Sequence, residues 1–325
     1  MLSDSAMKVL LTGAFGNIGE STLLALFQKG HEIRCFDIDT QRNRKKASEL
    51  LTHGNFEVVW GSITEREQLE PALNDIDAVI HLAAILPPVS EKKPEFAKEV
   101  NVGGMRNLLS RMSSLEKPPR LTFASSVSTY GPRSPDMPDV TSTTPQKPTD
   151  NYTHHKVECE TMLRESSVPY TILRLTAIPP LEVSTKMDPM VFEMPLEQKI
   201  EFCHTRDVGV AFANSIEADT IGKVLLIGGG QRCQLRCSDF TNRLMVAMGI
   251  GALPETAFKK PREPEEWYYT SWMDTRESEA LLKYQTRTLE DYIAEMKKNA
   301  GALRYVIRLF SPLIRRMIAR QSPYM

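Results

Sequence analysis

The sequence predicts an α/β fold, a doubly wound parallel sheet covered by helices and followed by a smaller C-terminal lobe. Two observations predict it. Between residues 7 and 175, short β-branched or apolar runs alternate with longer segments of helical period. A glycine-rich turn also stands directly between the first run and the first helical segment. A third observation marks where the alternation ends: after Leu175, Pro179-Pro180 opens an irregular stretch rich in Met, Pro and Glu.

The strand candidates are Lys8–Thr12, Glu32–Asp37, Phe56–Trp60, Ala78–Leu82, Arg120–Ser125 and Tyr170–Leu175. The first helix, Ile18 to Lys29, carries Leu23, Leu24 and Phe27 at helical spacing and stops at Gly30, which readily supplies a left-handed cap. Thr64 with Glu67 three residues on predicts a capping box, with Leu69, Ala72 and Leu73 as the buried stripe behind it. Between Gly131 and Asp150, prolines 132, 135, 138, 145 and 148 rule out a helix or a central strand and predict a long loop. The expected division is a sheet domain over residues 1–175, a lobe over 176–300 and a basic amphipathic segment over 301–325. Thr205–Glu217 and Lys223–Ile227 are candidates to return to the first sheet, so the lobe is partly interleaved with it.

Composition narrows the partners. With 325 residues, 41% hydrophobic and 25% charged, the chain has the make-up of a globular protein. Forty basic against forty-one acidic side chains leave no global electrostatic footprint for nucleic acid, so none is expected as a partner. Cys35, Cys159, Cys203, Cys233 and Cys237 are too few, and odd in number, for a disulfide scaffold, which suits a reducing cytoplasm. Cys233 and Cys237 have no further soft ligand between them, so no metal site is expected. No window approaches the roughly 18 apolar residues of a membrane helix.

The turn is Thr12-Gly13-Ala14-Phe15-Gly16-Asn17-Ile18-Gly19. Gly13 permits the tight bend, Gly16 lets backbone approach a pyrophosphate, and Gly19 allows the helix to sit close on the strand. The amides and positive dipole end of the helix then hold phosphate charge. Asp37 ends the second strand 24 residues after Gly13, where a carboxylate accepts from both hydroxyls of an adenosine ribose and repels a 2′-phosphate. NAD is therefore expected rather than NADP. Arg42, Arg44, Lys45 and Lys46 just downstream offer the opposing argument, and they read better as a solvated helix face.

Tyr152 and Lys156 stand four residues apart, on one face of a helix that begins near Asn151. A phenol titrates near pH 10, about three units too high for acid–base work at neutrality unless a neighbouring cation favours its phenolate. Lys156 is that cation. The end of the fifth strand reads Ser125-Ser126-Val127-Ser128, hydroxyls at the carboxyl edge of the sheet where ligands of such folds bind. Ser125 and Ser128 read as turn hydroxyls.

Together these residues resemble the extended short-chain dehydrogenases/reductases, a family that includes nucleotide-sugar epimerases, dehydratases and hydroxysteroid dehydrogenase-like enzymes. The resemblance runs over roughly residues 7–230 and includes the turn, Asp37, His81-Leu82-Ala83-Ala84, Asn101-Val102-Gly103-Gly104, Ser126, Tyr152 with Lys156, and Arg206-Asp207-Val208. It implies a Rossmann domain that binds NAD through Gly13, Phe15, Gly16, Asn17, Ile18, Gly19 and Asp37. Ser62 and Ile63 would flank the adenine, although the family usually has Asp where Ser62 stands. Leu82, Ala83 and Ala84 would line the cleft, with Asn101 beside it. The resemblance makes Ser126 the substrate-orienting serine, Tyr152 the acid–base, and Lys156 a ribose contact that tunes Tyr152.

The expected chemistry is hydride exchange between nicotinamide and a secondary alcohol or carbonyl of a small organic substrate. An epimerase working by transient oxidation is the second reading, and a dinucleotide sensor the third. The family's dehydratases carry an Asp-Glu pair after a Thr in the loop that here reads Val127-Ser128-Thr129, which argues against dehydration. Arg174-Leu175-Thr176-Ala177-Ile178-Pro179-Pro180 also departs from the Arg-Pro…Tyr-Gly-Pro continuation common in nucleotide-sugar enzymes. Substrate contacts are expected from the lobe, where Met187, Met190, Val191, Phe192 and Met194 cluster and Trp267, Tyr268, Tyr269 and Trp272 form an aromatic group. For both groups, packing of the lobe is the preferred reading.

Leu303 to Arg320 places Arg304, Arg308 and Arg315 on one helical face and Val306, Phe310, Leu313, Ile314 and Met317 on another, with a break at Ser311-Pro312. Such a segment docks on its own domain, on a second subunit of a homodimer, or on an anionic bilayer as a peripheral contact over residues 303–320. The first two are the preferred expectations.

Overall fold

The computed structural model describes residues 6–181 and 190–325. Six strands fall where the alternation places them: β1 (Lys8–Thr12), β2 (Glu32–Asp37), β3 (Glu57–Trp60), β4 (Ala78–His81), β5 (Arg120–Ser126) and β6 (Tyr170–Leu175). The two short strands β7 (Lys199–Glu201) and β9 (Gln234–Arg236) form an antiparallel pair, whereas β8 (Val224–Ile227) returns to the main sheet beside β6. The main sheet is wholly parallel, in the order β3-β2-β1-β4-β5-β6-β8. Its strand order reverses between β1 and β4, and the crevice beyond the carboxyl ends of those strands is where such sheets take ligands.

Helices cover both faces. On one side α1 (Asn17–Lys29), α2 (Gln41–Leu50) and α9 (Thr205–Ser215) bury Leu23, Leu26, Leu50, Val208 and Phe212 against the sheet. Gly209 of α9 rests so close to α1 that a β-carbon there would lie 2.3 Å from the Ser21 carbonyl oxygen. On the other side α3 (Arg66–Ala72), α6 (Gly104–Ser113) and α7 (Asn151–Glu165) bury Leu69, Met105, Leu108, Met112 and Leu163. The short helices α4 (Val89–Lys92) and α5 (Pro94–Lys98) lead through a π turn at Glu99–Gly103 into α6. Gly30 closes α1 in the left-handed region, with φ 76°.

The expected capping box at Thr64 does not form. The Thr64 hydroxyl bonds Ser62 Oγ at 2.7 Å and the Gln68 side chain accepts from the Ser62 amide at 2.7 Å, which holds the segment in a turn. The helix starts one residue later, behind Glu65. The stripe of Leu69, Ala72 and Leu73 is buried as expected.

The loop from Gly131 to Asp150 crosses to the smaller lobe, where Arg133 N donates to Tyr268 O and Val140 N to Trp272 O. That lobe comprises β7, β9 and the helices α8 (Met190–Glu193), α10 (Cys237–Ala247), α12 (Leu289–Ala300), α13 (Leu303–Leu309) and α14 (Ser311–Ala319), while α11 (Arg276–Leu282) packs near β8 and α9. Phe192 is fully buried with Leu253, Ala257 and Phe258, so this part of the methionine-rich cluster is lobe core. Met187 lies outside the described residues. Among the described residues, no helix is long and apolar enough to cross a membrane.

Candidate active site

Each glycine of the first turn has a distinct surrounding. Gly13 has φ 68° and lies against the chain leaving β4, where a β-carbon would meet the Ala83 nitrogen at 2.8 Å. At Gly19 a β-carbon would stand 2.2 Å from the Gly13 carbonyl oxygen, so α1 is pressed onto the turn. The β-carbon position of Gly16 meets only that same oxygen, at 3.5 Å, and otherwise faces open space. The start of α1 carries no side-chain cap, which leaves its first amides and dipole end presented to that space.

Asp37 closes the far side of the turn. Its carboxylate accepts from Phe15 N at 3.0 Å, Ile38 N at 2.8 Å and Asn43 Nδ2 at 3.1 Å. Burial pushes its pKa up and the two amides pull it back in part. The basic residues downstream have other partners: Arg44 grips Asp39 through two bonds of 2.6 Å, Lys46 donates to Glu20 at 2.9 Å, and Lys45 lies 3.9 Å from Glu49.

The second half of the site is built on α7. Asp150 caps the helix, accepting from Thr153 N at 2.8 Å, and Glu91 reaches across from α4 to accept from the amides of Asn151 and Tyr152, each at 3.2 Å. Tyr152, Lys156 and Glu160 then recur at one-turn intervals on the face turned to β5. The Tyr152 phenol lies near enough to the Ser126 side chain for that serine to pull its pKa down in part. Lys156 Nζ donates to Ala124 O at 2.7 Å and lies 5.5 Å from the centroid of the Tyr152 ring and 4.8 Å from that of Phe123.

The electrostatics of this pair differ from the sequence expectation. Burial pushes the Tyr152 phenol well above its usual range, with Ser126 offsetting a part and the Asp150 charge adding to it. Burial also lowers the Lys156 ammonium to about 8, against the opposing influence of Cys159 and Glu160. Desolvation is the largest influence on the phenol, which rests protonated before substrate binds.

The family model of the NAD dependent epimerase/dehydratase family matches residues 9–179, more than half of the chain. The chain belongs to this family. A UDP-glucose 4-epimerase from Streptococcus mutans is 32% identical over 170 residues, covering 51% of this chain and 49% of that protein. A 3 beta-hydroxysteroid dehydrogenase/Delta 5-->4-isomerase from Mycobacterium tuberculosis is 33% identical over 113 residues, covering 33% of this chain and 29% of its own length. The chain thus matches about half or less of the length of these relatives. The crystal structure of UDP-glucuronic acid 4-epimerase from Bacillus cereus, in complex with UDP-glucuronic acid and NAD, superposes with a TM-score of 0.73 over 91% of this chain and all of that one. At 21% identity that likeness is one of fold.

In this family member the other residues singled out from sequence fall into two groups. Leu82, Ala83 and Ala84 run beside Gly13, with Leu82 N donating to Thr12 O at 3.2 Å. Asn101 is buried and clasps the Ile85 backbone through both its side-chain atoms, at 2.7 and 2.9 Å, which holds that segment against α7. Phe15, by contrast, packs its ring into the core 5.4 Å from Trp60. Asn17 donates to Ile178 O at 3.3 Å, and Ile18 lies partly buried against the core. Ser62 is turned to Thr64, while Ile63 is buried against Gly104. Ser128 pairs with Ser126 at 2.7 Å and Ser125 with Glu160 at 2.6 Å.

Sequence reasoning assigned no site role to several side chains that hold or border it. His81 bonds Thr12 Oγ1 at 2.7 Å and stacks on Phe123; burial lowers it to about 3, so the ring is neutral. The register of β1 on β4, which pairs Thr12 with His81, is the signal that reveals it. Glu160, fully buried, accepts from Arg174 Nε at 2.9 Å, and Arg174 Nη1 donates to the Tyr130 hydroxyl at 2.6 Å. Glu91 had no local signal, because its partners lie about sixty residues downstream. On the lobe, Tyr268 and Tyr269 stack at 4.3 Å, and the Tyr269 phenol, raised by burial, also feels the charges of Asp150 and Glu91.

Proposed function

We propose that this chain binds NAD across the β1/β4 crevice and inverts a secondary alcohol of a nucleotide sugar by transient oxidation, with Tyr152 as the acid–base group. The observation that carries this reading is Tyr152 beside Ser126, with Lys156 5.5 Å from its ring, at the carboxyl edge of the sheet that also presents the glycine turn. The sequence alone favoured net oxidation or reduction of an organic alcohol, and the comparisons back the epimerase better.

The residues present fit the dinucleotide. Open space at Gly16 and the uncapped start of α1 suit a pyrophosphate, while Asp37, beside basic residues already paired elsewhere, suits an unphosphorylated ribose. When bound, NAD supplies the hydride acceptor. The chain's own part is to orient the substrate hydroxyl through Ser126, to move its proton at the Tyr152 oxygen, and to keep a positive charge beneath that oxygen at Lys156.

The test incubates the protein with UDP-glucose and UDP-glucuronic acid and follows both the sugar's stereochemistry by NMR and NADH absorbance. Inversion without net NADH supports the epimerase. NADH accumulating with a hydroxylated substrate and no inversion shifts the assignment to a dehydrogenase, the reading for which the hydroxysteroid dehydrogenase relative speaks. Tighter binding of NADP than of NAD refutes the role given to Asp37.

A further inference from the structure

The C-terminal hairpin presents its apolar residues the wrong way round for a helix that docks on its own domain. In α13 and α14 the spacing puts Arg304, Arg308 and Arg315 on one face, yet that face is turned toward the body of the lobe. The backbone at Gly249 approaches α13 so closely that a β-carbon would stand 2.6 Å from Arg304 O, and the Arg315 guanidinium borders Gly251. Ile314, Ile318 and Ala319 complete the docked side, and the tail is pinned by Ser322 to Ala257 O and by Tyr324 to Glu193. The outer side carries Leu309 at 75% exposure, Leu313 and Met317 each at 64%, and Val306 and Phe310 at about half.

This patch is not ordinary surface scatter. Of the seventeen large hydrophobic side chains that are exposed among the described residues, nine lie in residues 303–325. A contiguous apolar face of this kind marks an interaction site. Its charge identifies the partner: residues 303–325 contain five arginines, at 304, 308, 315, 316 and 320, and no acidic residue, in a chain whose net charge is −1. Arg316 and Arg320 share the outer side of α14 with Leu313 and Met317, so apolar side chains and guanidinium groups point the same way. Beside the hairpin, a crevice of about 830 Å³ between α10, α12 and α13 adds Arg243, Lys297 and the exposed Val246 to its rim.

We propose that α13 and α14 dock this protein peripherally on an anionic bilayer, the outer apolar side chains entering the interface and Arg316 and Arg320 pairing with lipid phosphates. A two-fold contact with a second copy is the competing occupant, and charge opposes it. An isologous interface sets the same patch against itself, which here brings arginines onto arginines with no carboxylate in the segment to separate them.

The experiment is sedimentation of the full chain with vesicles of phosphatidylcholine alone and with about 30% phosphatidylglycerol added. The expected result is co-sedimentation with the anionic vesicles only, reversed at about 0.5 M salt. Partitioning should fall about fivefold for each of Arg316→Gln and Arg320→Gln. In Leu309→Asp with Leu313→Asp it should be abolished; both positions are exposed, so the variant's unfolding midpoint should match the parent's. Equal partitioning onto both vesicle types, none onto either, or full retention in the Leu309→Asp, Leu313→Asp variant overturns the proposal. So does a concentration-dependent dimer in analytical ultracentrifugation that this variant dissolves, because the face would then belong to a second copy.

Discussion

Replacing Arg174 by Met tests how the folded chain supports α7. Glu160 has no exposed surface and accepts four hydrogen bonds: two from Arg174 at 2.6 and 2.9 Å, one from Ser125 at 2.6 Å and one from Arg164 at 2.8 Å. Removing one partner of a buried pair strands the other charge, at a cost of roughly 3–5 kcal/mol. Here Ser125 and the partly exposed Arg164 remain, which places Arg174→Met at the lower end, about 3 kcal/mol. Glu160→Leu combined with Arg174→Met removes both charges, so the pair should be less destabilised than the sum of the single changes by about 2 kcal/mol. Urea unfolding at constant slope measures all three. The acid dependence has a defined sign. Burial raises the Glu160 carboxyl, but the Arg174, Ser125 and Arg164 bonds outweigh it and leave the folded-state pKa depressed. Its contribution is therefore fully present above the unfolded value of about 4.3 and is lost as pH falls through the lower folded value. A single-variant effect below about 0.5 kcal/mol, or strict additivity in the double variant, would refute this account.

Tyr152→Phe should cut turnover by about 10²–10⁴, the usual share of a general acid–base group, while calorimetry finds NAD binding nearly unchanged. Gly19→Ala drives a methyl to 2.2 Å from the Gly13 carbonyl oxygen, so α1 must shift; a loss of about 1–3 kcal/mol in stability, read by urea midpoint, should accompany much weaker NAD binding. Lys156 provides a pH signature. Its folded-state pKa of about 8 lies below the unfolded value near 10.4, so between those values the unfolded chain holds the extra proton and stability attributable to Lys156 rises with pH. The difference in urea midpoint between the parent chain and Lys156→Met should shift in the parent's favour across that window, and a flat difference contradicts the burial.

The sheet was legible because parallel strands buried on both faces leave near-continuous apolar runs between helical segments, as in Lys8–Thr12 and Tyr170–Leu175. The glycine turn was legible because each glycine answers a local steric demand at Gly13 or Gly19. What escaped was set by contacts distant in sequence. Glu91 reaches α7 across sixty residues, and Ser62 and Thr64 chose each other over the helix end that Thr64 and Glu67 were expected to form. The sign of the Tyr152 shift escaped as well, because spacing shows which charge is near but not how much water is displaced. The two faces of the tail were legible from its periodicity, and the direction in which they point depends on where Gly249 admits the backbone of α13.

The site gains its order from one helix. Tyr152, Lys156 and Glu160 occupy successive turns of α7 and meet a consecutive stretch of β5: Tyr152 lies beside Ser126, Lys156 donates to Ala124 O, and Glu160 accepts from Ser125. The N-terminal end of the helix is held by Asp150 and Glu91, and Glu160 is tied through Arg174 to β6 and to Tyr130. A helix anchored at these points cannot rotate to withdraw the phenol without breaking a buried ion pair at Glu160. The same anchoring aims the half-buried Tyr152 phenol at the crevice beside Ser126, where its oxygen can exchange a proton with a bound substrate hydroxyl.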